Sequence, residues 1–217
     1  MHAVIFDLDG VLVDSMPSHS LSWVQAFQNV AGIKIDRRLL YVLEGMRGAE
    51  LVERVFAENG TDRSLAVPVM REKDRIFKGM DRPRPFEGVR EMMQEIKCAK
   101  AVVSGSNRHD VESFLDDIVG KENFDAVVTA DDIGRGKPDP LAFVTALSKL
   151  RVEPAQAVVV ENAPLGAKAA ATAGIPCYVV LNSTLLVRSD FAGIVPQDRI
   201  FEKTSSLKGL LKNLCNE

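Results

Sequence analysis

Two aspartates near the amino terminus, Asp7 and Asp9, have the clearest potential for chemistry in the sequence. They follow a short apolar segment, and a carboxylate that is ionised at neutral pH can attack phosphorus to form an aspartyl phosphate, so Asp7 is the candidate nucleophile. Asp9 is the candidate general acid, because neighbouring negative charge is expected to raise its pKa so that it protonates a leaving oxygen and later deprotonates water. On their own, Asp9 and Gly10 could merely form a turn.

Polar side chains also follow the other apolar segments: Ser104, Lys137, Glu161 and Asn162. Brought together, the three carboxylates would repel, since two like charges about 4 Å apart interact by about 4 kcal/mol at an effective dielectric near 20. Bound Mg²⁺ would relieve this repulsion, and Mg²⁺ beside Lys137 implies an anionic substrate. Ser104 would then donate to a phosphoryl oxygen and Lys137 would offset negative charge. Simpler interpretations are a loop serine, a solvated lysine and a helix-capping asparagine.

Five short segments rich in β-branched residues predict the strands that position these side chains. Because they are almost continuously apolar, both of their faces should be covered, as in a parallel sheet between helical layers. Helical patterns over 140–150, with Asp139 as the expected N-cap, and over 164–173 alternate with them. This alternation predicts a doubly wound α/β fold with a mostly parallel sheet, whose ligands bind at the carboxyl ends of the strands. The predicted strands are 4–6, 101–103, 126–128, 157–160 and 178–181.

One long stretch interrupts the alternation, because residues 15–83 contain only helical patterns. Trp23 and Phe27, four residues apart, are expected in the core of this helical module. We therefore predict a helical cap domain over 15–83, inserted after the first strand. Residues 1–14 and 84–217 would form the α/β core.

Composition excludes several classes of protein. The 27 basic and 30 acidic residues give a net charge of −3, which lacks the basic excess of a nucleic-acid-binding surface. Three cysteines without a C-x-x-C pair argue against a zinc ribbon and against a disulfide framework. No apolar run approaches the roughly 20 residues of a membrane-spanning helix. We expect a soluble cytoplasmic protein, a monomer or a weak homodimer, with neither nucleic acid nor membrane as a partner.

Four motifs carry a resemblance to a known family: FDLDGVLVDS at 6–15, VVSGSN at 102–107, GKPDP at 136–140 and VVVENAPLGAKAAATAGIP at 158–176. Together they resemble the haloacid dehalogenase superfamily of phosphohydrolases, in the branch with a Rossmann-like core and a helical cap inserted after the first strand. The resemblance spans the whole chain. It implies a Mg²⁺ cofactor and a small phosphorylated substrate.

The same resemblance implies a role for each matching residue. Asp7 would be nucleophile and metal ligand, and Asp9 the general acid and base with its main-chain carbonyl on the metal. Most members carry an aspartate where this chain has Asn162, and an amide oxygen should hold Mg²⁺ more weakly because it brings no charge. The remaining assignments are Ser104 and Lys137 on phosphate, Glu161 and Asn162 in the metal shell, and Gly10, Gly105 and Ser106 on the substrate.

The predicted cap carries the motifs DSMPSHSLSW, EGMRG and REKDRIF, which resemble the β-phosphoglucomutase-like subgroup. His19, Arg47 and Lys73 are expected to face the site. Sugar-phosphate mutases of the subgroup typically carry a lysine where this chain has Glu44, whereas some of its phosphatases, including a pyrophosphate-hydrolysing type, carry the EG-x-x-G form. Glu44 could add a metal ligand or crowd out large substrates.

The prediction is a Mg²⁺-dependent phosphohydrolase that acts on a small phosphorylated metabolite. Two alternatives lie in the same subgroup: a sugar-phosphate mutase that works through a bisphosphate, and an inorganic pyrophosphatase. A third alternative is a phosphorylated signalling receiver, which regulates partners instead of turning over a substrate. Such a receiver is typically much shorter, lacks a helical insertion, and takes phosphate on the third strand.

Overall fold

A parallel sheet in the order β3-β2-β1-β4-β5-β6 forms the centre of the computed structural model, which describes residues 1–118, 120–182 and 184–216. The predicted fold class is confirmed, and all five predicted strands are present. The sixth strand has only two residues, too few for a periodic signal in the sequence. The strands are β1 (Ala3–Asp7), β2 (Ala99–Val103), β3 (Ala126–Val128), β4 (Ala157–Glu161), β5 (Cys177–Val180) and β6 (Ile200–Phe201).

The central strand β1 is buried on both faces, as its continuous apolar sequence predicts. Ala3 and Ile5 belong to one hydrophobic cluster, and Val4 and Phe6 belong to a second cluster on the other face. None of these four residues is exposed to solvent. Fully burying one such aliphatic side chain stabilises a fold by about 1.5–3 kcal/mol, so the strand that ends in Asp7 is held firmly.

Nine helices lie among the described residues, and five of them cover the sheet. The predicted helices at 140–150 and 164–173 agree with the structure to within one residue at each end. Pro140 occupies the N-cap position of the first helix, where Asp139 was expected, and Asp139 Oδ1 accepts a hydrogen bond from the Leu141 amide at 2.9 Å. The helices are α1 (Met16–Ala31), α2 (Arg37–Val42), α3 (Gly48–Asn59), α4 (Ala66–Lys78), α5 (Val89–Glu95), α6 (Arg108–Ile118), α7 (Leu141–Leu150), α8 (Pro164–Thr172) and α9 (Lys208–Asn216).

Helices α1 to α4 follow β1 and form the segment that the sequence predicts as a cap. They pack around a hydrophobic cluster of their own, in which Phe27, Val52, Phe56 and Val69 are buried. The chain enters and leaves this segment side by side, because the Asp14 amide donates to the Arg84 carbonyl at 2.9 Å. The division into a cap over 15–83 and a core stays a prediction.

One expectation about the cysteines is wrong. Cys98, directly before β2, is disulfide-bonded to Cys215 in α9, although 117 residues separate them. Spacing along the chain carries no signal for such a pair, because the packing of α9 against the sheet brings them together. Cys177 is free and buried. None of the described helices has the length and apolarity that crossing a bilayer demands.

Candidate active site

The carboxyl ends of β1, β2 and β4 place the predicted site residues at one edge of the sheet. Asp7 pairs with Val103, the last residue of β2, so Ser104 comes next to it. On the other side Phe6 pairs with Val160, which puts Glu161 level with Asp7. Parallel strands that stop together therefore gather residues separated by more than 150 positions.

Lys137 lies between two of these carboxylates. Its Nζ donates to Asp7 and, at 2.5 Å, to Glu161 Oε1. The lysine is only 3% exposed, so the simpler interpretation as a solvated lysine is wrong. Burial acts to lower the pKa of Lys137, but the charges of Asp7 and Glu161 more than offset it and raise the pKa above its ordinary value. The ammonium therefore stays charged and neutralises part of the acidic cluster.

Asp9 has a different set of partners, all of them donors. Ser15 Oγ donates to Asp9 Oδ1 at 2.5 Å, and His19 Nε2 lies 3.2 Å from the same oxygen. Ser104 Oγ and Ser106 Oγ lie 3.2 and 3.4 Å from Oδ2. The Ser104 hydroxyl, which the sequence predicts to bind phosphate, thus donates to Asp9 in this structure.

The expected rise in the pKa of Asp9 is wrong in direction. Burial does raise it, but the charge of His19 and the hydrogen bonds from His19, Ser15 and Ser104 hold the pKa well below its ordinary value. The expectation considered only acidic neighbours in sequence. His19 was expected to face the site. Ser15 was missed, although it precedes His19 by four residues at the start of α1 and so lies on the same face of the helix.

Glu44 reaches the acidic cluster from the loop between α2 and α3. Asn162 Nδ2 donates to Glu44 Oε2 at 2.8 Å, whereas α8 has Ala163 at its N-cap, so Asn162 is not the helix cap. Burial raises the pKa of Glu44 well above its ordinary value, and the charges of Asp7, Glu161 and Asp9 raise it further against the opposing effect of Lys137. Burial and neighbouring negative charge thus both work against ionisation of Glu44.

Two buried oxygens in this cluster, Glu44 Oε1 and Asn162 Oδ1, have no hydrogen-bond partner among the described residues. Buried polar atoms are normally paired, so these two point to a missing electropositive partner. Carboxylate and amide oxygens are the ligands that Mg²⁺ takes, and the donor set fits that ion. Within the described ranges, no three acidic, histidine or cysteine side chains are already clustered as in a metal site.

A cavity of about 360 Å³ lies between the sheet edge and helices α1 to α4. Asp7 and Asp9 line it, and so do most of the residues that the sequence predicts to contact substrate: His19, Glu44, Arg47, Lys73, Gly105 and Ser106. Gly10 instead packs on Asn162, where a Cβ at position 10 would lie 2.0 Å from Nδ2.

The cavity wall also contains residues that sequence reasoning missed. Trp23 packs against the core of the helical segment, as expected, and it also lines the cavity. Lys73 Nζ lies 4.9 Å from the centre of the Phe77 ring and 5.6 Å from that of Trp23, so aromatic faces hold this cation beside the cavity. Asn107 and Asp110, at the start of α6, complete the rim.

Comparison with known proteins agrees with this geometry. The chain is 34% identical over 179 residues to a validoxylamine A 7'-phosphate phosphatase from Streptomyces hygroscopicus subsp. limoneus, covering 80% of this chain and 82% of the relative. It is 30% identical over 194 residues to a phosphorylated carbohydrates phosphatase from Thermotoga maritima, with coverage of 84% and 87%.

A solved structure from Bacteroides vulgatus, provisionally named a β-phosphoglucomutase, superposes with a TM-score of 0.87 at 30% identity, covering 100% of this chain and 91% of that one. The predicted resemblance is confirmed, and residues 1–174 match the family described as haloacid dehalogenase-like hydrolase. The chain therefore belongs to the haloacid dehalogenase-like hydrolases.

Proposed function

We propose that this protein is a phosphohydrolase that removes the phosphoryl group from a small phosphorylated metabolite through an aspartyl phosphate on Asp7. The observation that carries the proposal is that Asp7 and Asp9 line one cavity with opposite partners, an ammonium on Asp7 and neutral or imidazole donors on Asp9. The family and the named phosphatases among its relatives support hydrolysis of a phosphoric ester.

The reaction divides into two displacements at phosphorus. Asp7 attacks, the bond between phosphorus and the leaving oxygen breaks, and that oxygen takes a proton from the Asp9 side of the cavity. Water then attacks the aspartyl phosphate, Asp9 accepts its proton, and inorganic phosphate leaves. His19 Nε2 lies 3.2 Å from Asp9 Oδ1, so the imidazole is placed to relay a proton to and from this carboxylate.

Other residues at the sheet edge support these two steps. Lys137 would stabilise charge on Asp7 and on the phosphoryl oxygens. Glu161 holds Lys137 through Oε1, while its Oε2 accepts from the amides of Asn162 and Ala163 at 3.0 and 3.3 Å. Ser104 and Ser106 would turn their hydroxyls from Asp9 to the phosphoryl group when substrate is bound.

The cofactor that we propose is Mg²⁺. Asp7, the main-chain carbonyl of Asp9, Asn162 and Glu44 would hold it, the last two through the oxygens that now lack a partner. When bound, the ion would neutralise charge on the transferred phosphoryl group. Glu161, predicted in the metal shell, already uses both oxygens, so its place there stays a prediction.

Glu44 also favours hydrolysis over the mutase reaction. A β-phosphoglucomutase from Bacillus subtilis is 28% identical to this chain, so the mutase stays a real alternative. A mutase must hold a second phosphate in the cavity, and Glu44 provides no positive charge there to bind it. Cytoplasmic location and a monomeric or weakly dimeric state stay predictions from the sequence.

The test is a phosphate-release screen with Mg²⁺ over sugar phosphates, short organic phosphates, nucleotides and pyrophosphate. The Asp7→Asn protein serves as the blank. Asp14→Asn is the matched control, because Asp14 belongs to the same motif but is exposed. We expect multiple turnovers from the wild type and from Asp14→Asn, and none from Asp7→Asn.

Three outcomes would contradict the proposal. Turnover by Asp7→Asn would show that Asp7 is not the nucleophile. Activity only on β-glucose 1-phosphate with a bisphosphate primer would indicate the mutase. Stable phosphorylation without release of phosphate would favour the signalling receiver.

A further inference from the structure

The loop between α2 and α3 is bonded to the loop that carries Lys137. The Lys137 amide donates to the Gly45 carbonyl at 3.0 Å. The Gly136 amide donates to both carboxylate oxygens of Glu50, at 3.1 and 3.2 Å. Arg47 Nη1 donates to the Gly134 carbonyl at 3.0 Å. Three residues of the helical segment thus hold the backbone of 134–137, immediately beside the ammonium that contacts Asp7.

Glycines allow these two loops to approach so closely. A Cβ at Gly136 would lie 2.6 Å from the Arg47 amide nitrogen and 2.7 Å from Glu50 Oε2, closer than carbon ever comes to such atoms. Gly136 does not have a left-handed φ, so its backbone would accept a side chain and only the neighbouring loop excludes one. Gly45, in the other loop, also has no room for a side chain, because a Cβ there would lie 2.6 Å from Lys137 Cδ.

Glu50 is the side chain that connects the two loops. It stands in the first turn of α3 and also accepts from the Arg47 amide at 3.2 Å, which is an ordinary helix-capping bond. Capping alone does not require the bonds from Gly136, which is 86 residues away. Those bonds tie α3 to the residue before Lys137, and they place the main chain from which the ammonium extends.

We propose that Glu50 is a positioning residue, and that its bonds to Gly136 hold Lys137 in its working position only while the helical segment is docked on the sheet edge. The part of this inference that concerns catalysis rests on the proposed function. Substrate must enter the cavity between the segment and the sheet, and this inference takes undocking of the segment as the route of entry. Formation of the Glu50 bonds then couples the return of the segment to the placement of the lysine.

Two pairs of variants separate this role from simple capping. Gly136→Ala blocks docking by contact without changing any residue of the α3 cap. Gly134→Ala is its control, because a Cβ there meets nothing within 4 Å. Glu50→Ala removes the acceptor, and Glu53→Ala is its control, because Glu53 is exposed on the same helix. Glu50→Gln keeps an oxygen that can accept from Gly136 and should rescue most of the function.

The first measurement is amide hydrogen exchange at positions 136 and 137 without substrate. Losing a hydrogen bond to a charged acceptor should speed local exchange by about 10- to 100-fold. We expect that change in Gly136→Ala and in Glu50→Ala, with both controls close to the wild type. The second measurement is phosphate release, in which we expect kcat/KM to fall by about 10- to 100-fold in the same two variants.

Each outcome decides the proposal. Unchanged exchange at 136 and 137 in Gly136→Ala and Glu50→Ala would overturn it, and so would an increase spread evenly over α3, which would make Glu50 a helix cap only. Local exchange that rises while kcat/KM is unchanged would overturn the positioning role. If the wild type released no phosphate, the proposed function would fail, and the exchange measurement would still decide whether Glu50 ties the two loops together.

Discussion

Asp7 and Asp9 are two residues apart, yet their surroundings give them different properties. Asp7 faces the ammonium of Lys137, and Asp9 faces hydroxyls and an imidazole. The sequence could predict which residues meet, because strand ends define one edge of a sheet. It could not predict the lowered pKa of Asp9, because which donors reach the carboxylate depends on the orientation of α1 and of the loop after β2.

At the scale of single residues, Asp9→Ala should cost about 10² to 10⁴ in kcat, the usual contribution of a general acid and base. The loss should be largest with a poor leaving group, which needs the proton most, and smaller with a nitrophenyl phosphate. Phosphate release from both substrates measures this contrast. Near-full activity of Asp9→Ala on the poor leaving group would show that Asp9 is not the acid.

Glu44 should make stability depend on pH and on the cation. Burial, and then the charges of Asp7, Glu161 and Asp9, raise its folded pKa, so its contribution to stability is fully present below the ordinary glutamate pKa and is lost as pH rises through the raised value. Without metal, Glu44→Gln should therefore be more stable than the wild type near about pH 7.5, with the difference shrinking toward about pH 4. A gain of about 1 kcal/mol raises Tm by roughly 2–4 °C in a chain of this size.

Thermal unfolding with and without Mg²⁺ measures both effects. With Mg²⁺ the wild type should be more stable than Glu44→Gln, because a carboxylate at position 44 gives the ion a charged ligand and an amide does not. Glu53→Gln, on an exposed residue, is the control and should follow the wild type at every pH. If Mg²⁺ stabilised Glu44→Gln as much as the wild type, Glu44 would not be a metal ligand.

At the scale of secondary structure, the strands could be predicted because each is short, β-branched and continuously apolar. The two-residue strand β6 and the pairing of Cys98 with Cys215 could not, since both depend on where the chain returns after folding. The role of Glu50 could not be predicted from the sequence for the same reason. Its partner Gly136 lies 86 residues away and is a main-chain group that looks the same at every position.

Helix α3 offers a test of the predicted division into cap and core. Phe56 is fully buried in the cluster of the helical segment, so Phe56→Ala should cost about 3–5 kcal/mol in the free energy of unfolding. Glu53→Ala, on the exposed face, is the control. If residues 15–83 form a domain, Trp23 fluorescence should report a transition that shifts to lower urea, while far-UV circular dichroism shows a second transition that does not. A single transition shifted equally for both probes would contradict the division.

At the scale of the whole molecule, the cavity contains the only tryptophan of the chain. Docking of α1 to α4 on bound ligand should exclude water from the Trp23 ring. We therefore expect the emission to shift to shorter wavelength when Mg²⁺ and inorganic phosphate are added together, and to a smaller extent in Gly136→Ala. Titration followed by fluorescence measures the shift, with sodium sulfate as the ionic-strength control. Constant emission at saturating phosphate would argue against closure of the cavity.

Both edges of the sheet are formed by its shortest strands, three residues in β3 and two in β6. An edge strand exposes unpaired backbone groups that can recruit a strand from another molecule, and a short edge offers few of them. The architecture that gathers the acidic cluster in the middle of the sheet thus leaves its margins poorly suited to intermolecular β-pairing. Concentrated solutions of the folded protein should resist aggregation by that route.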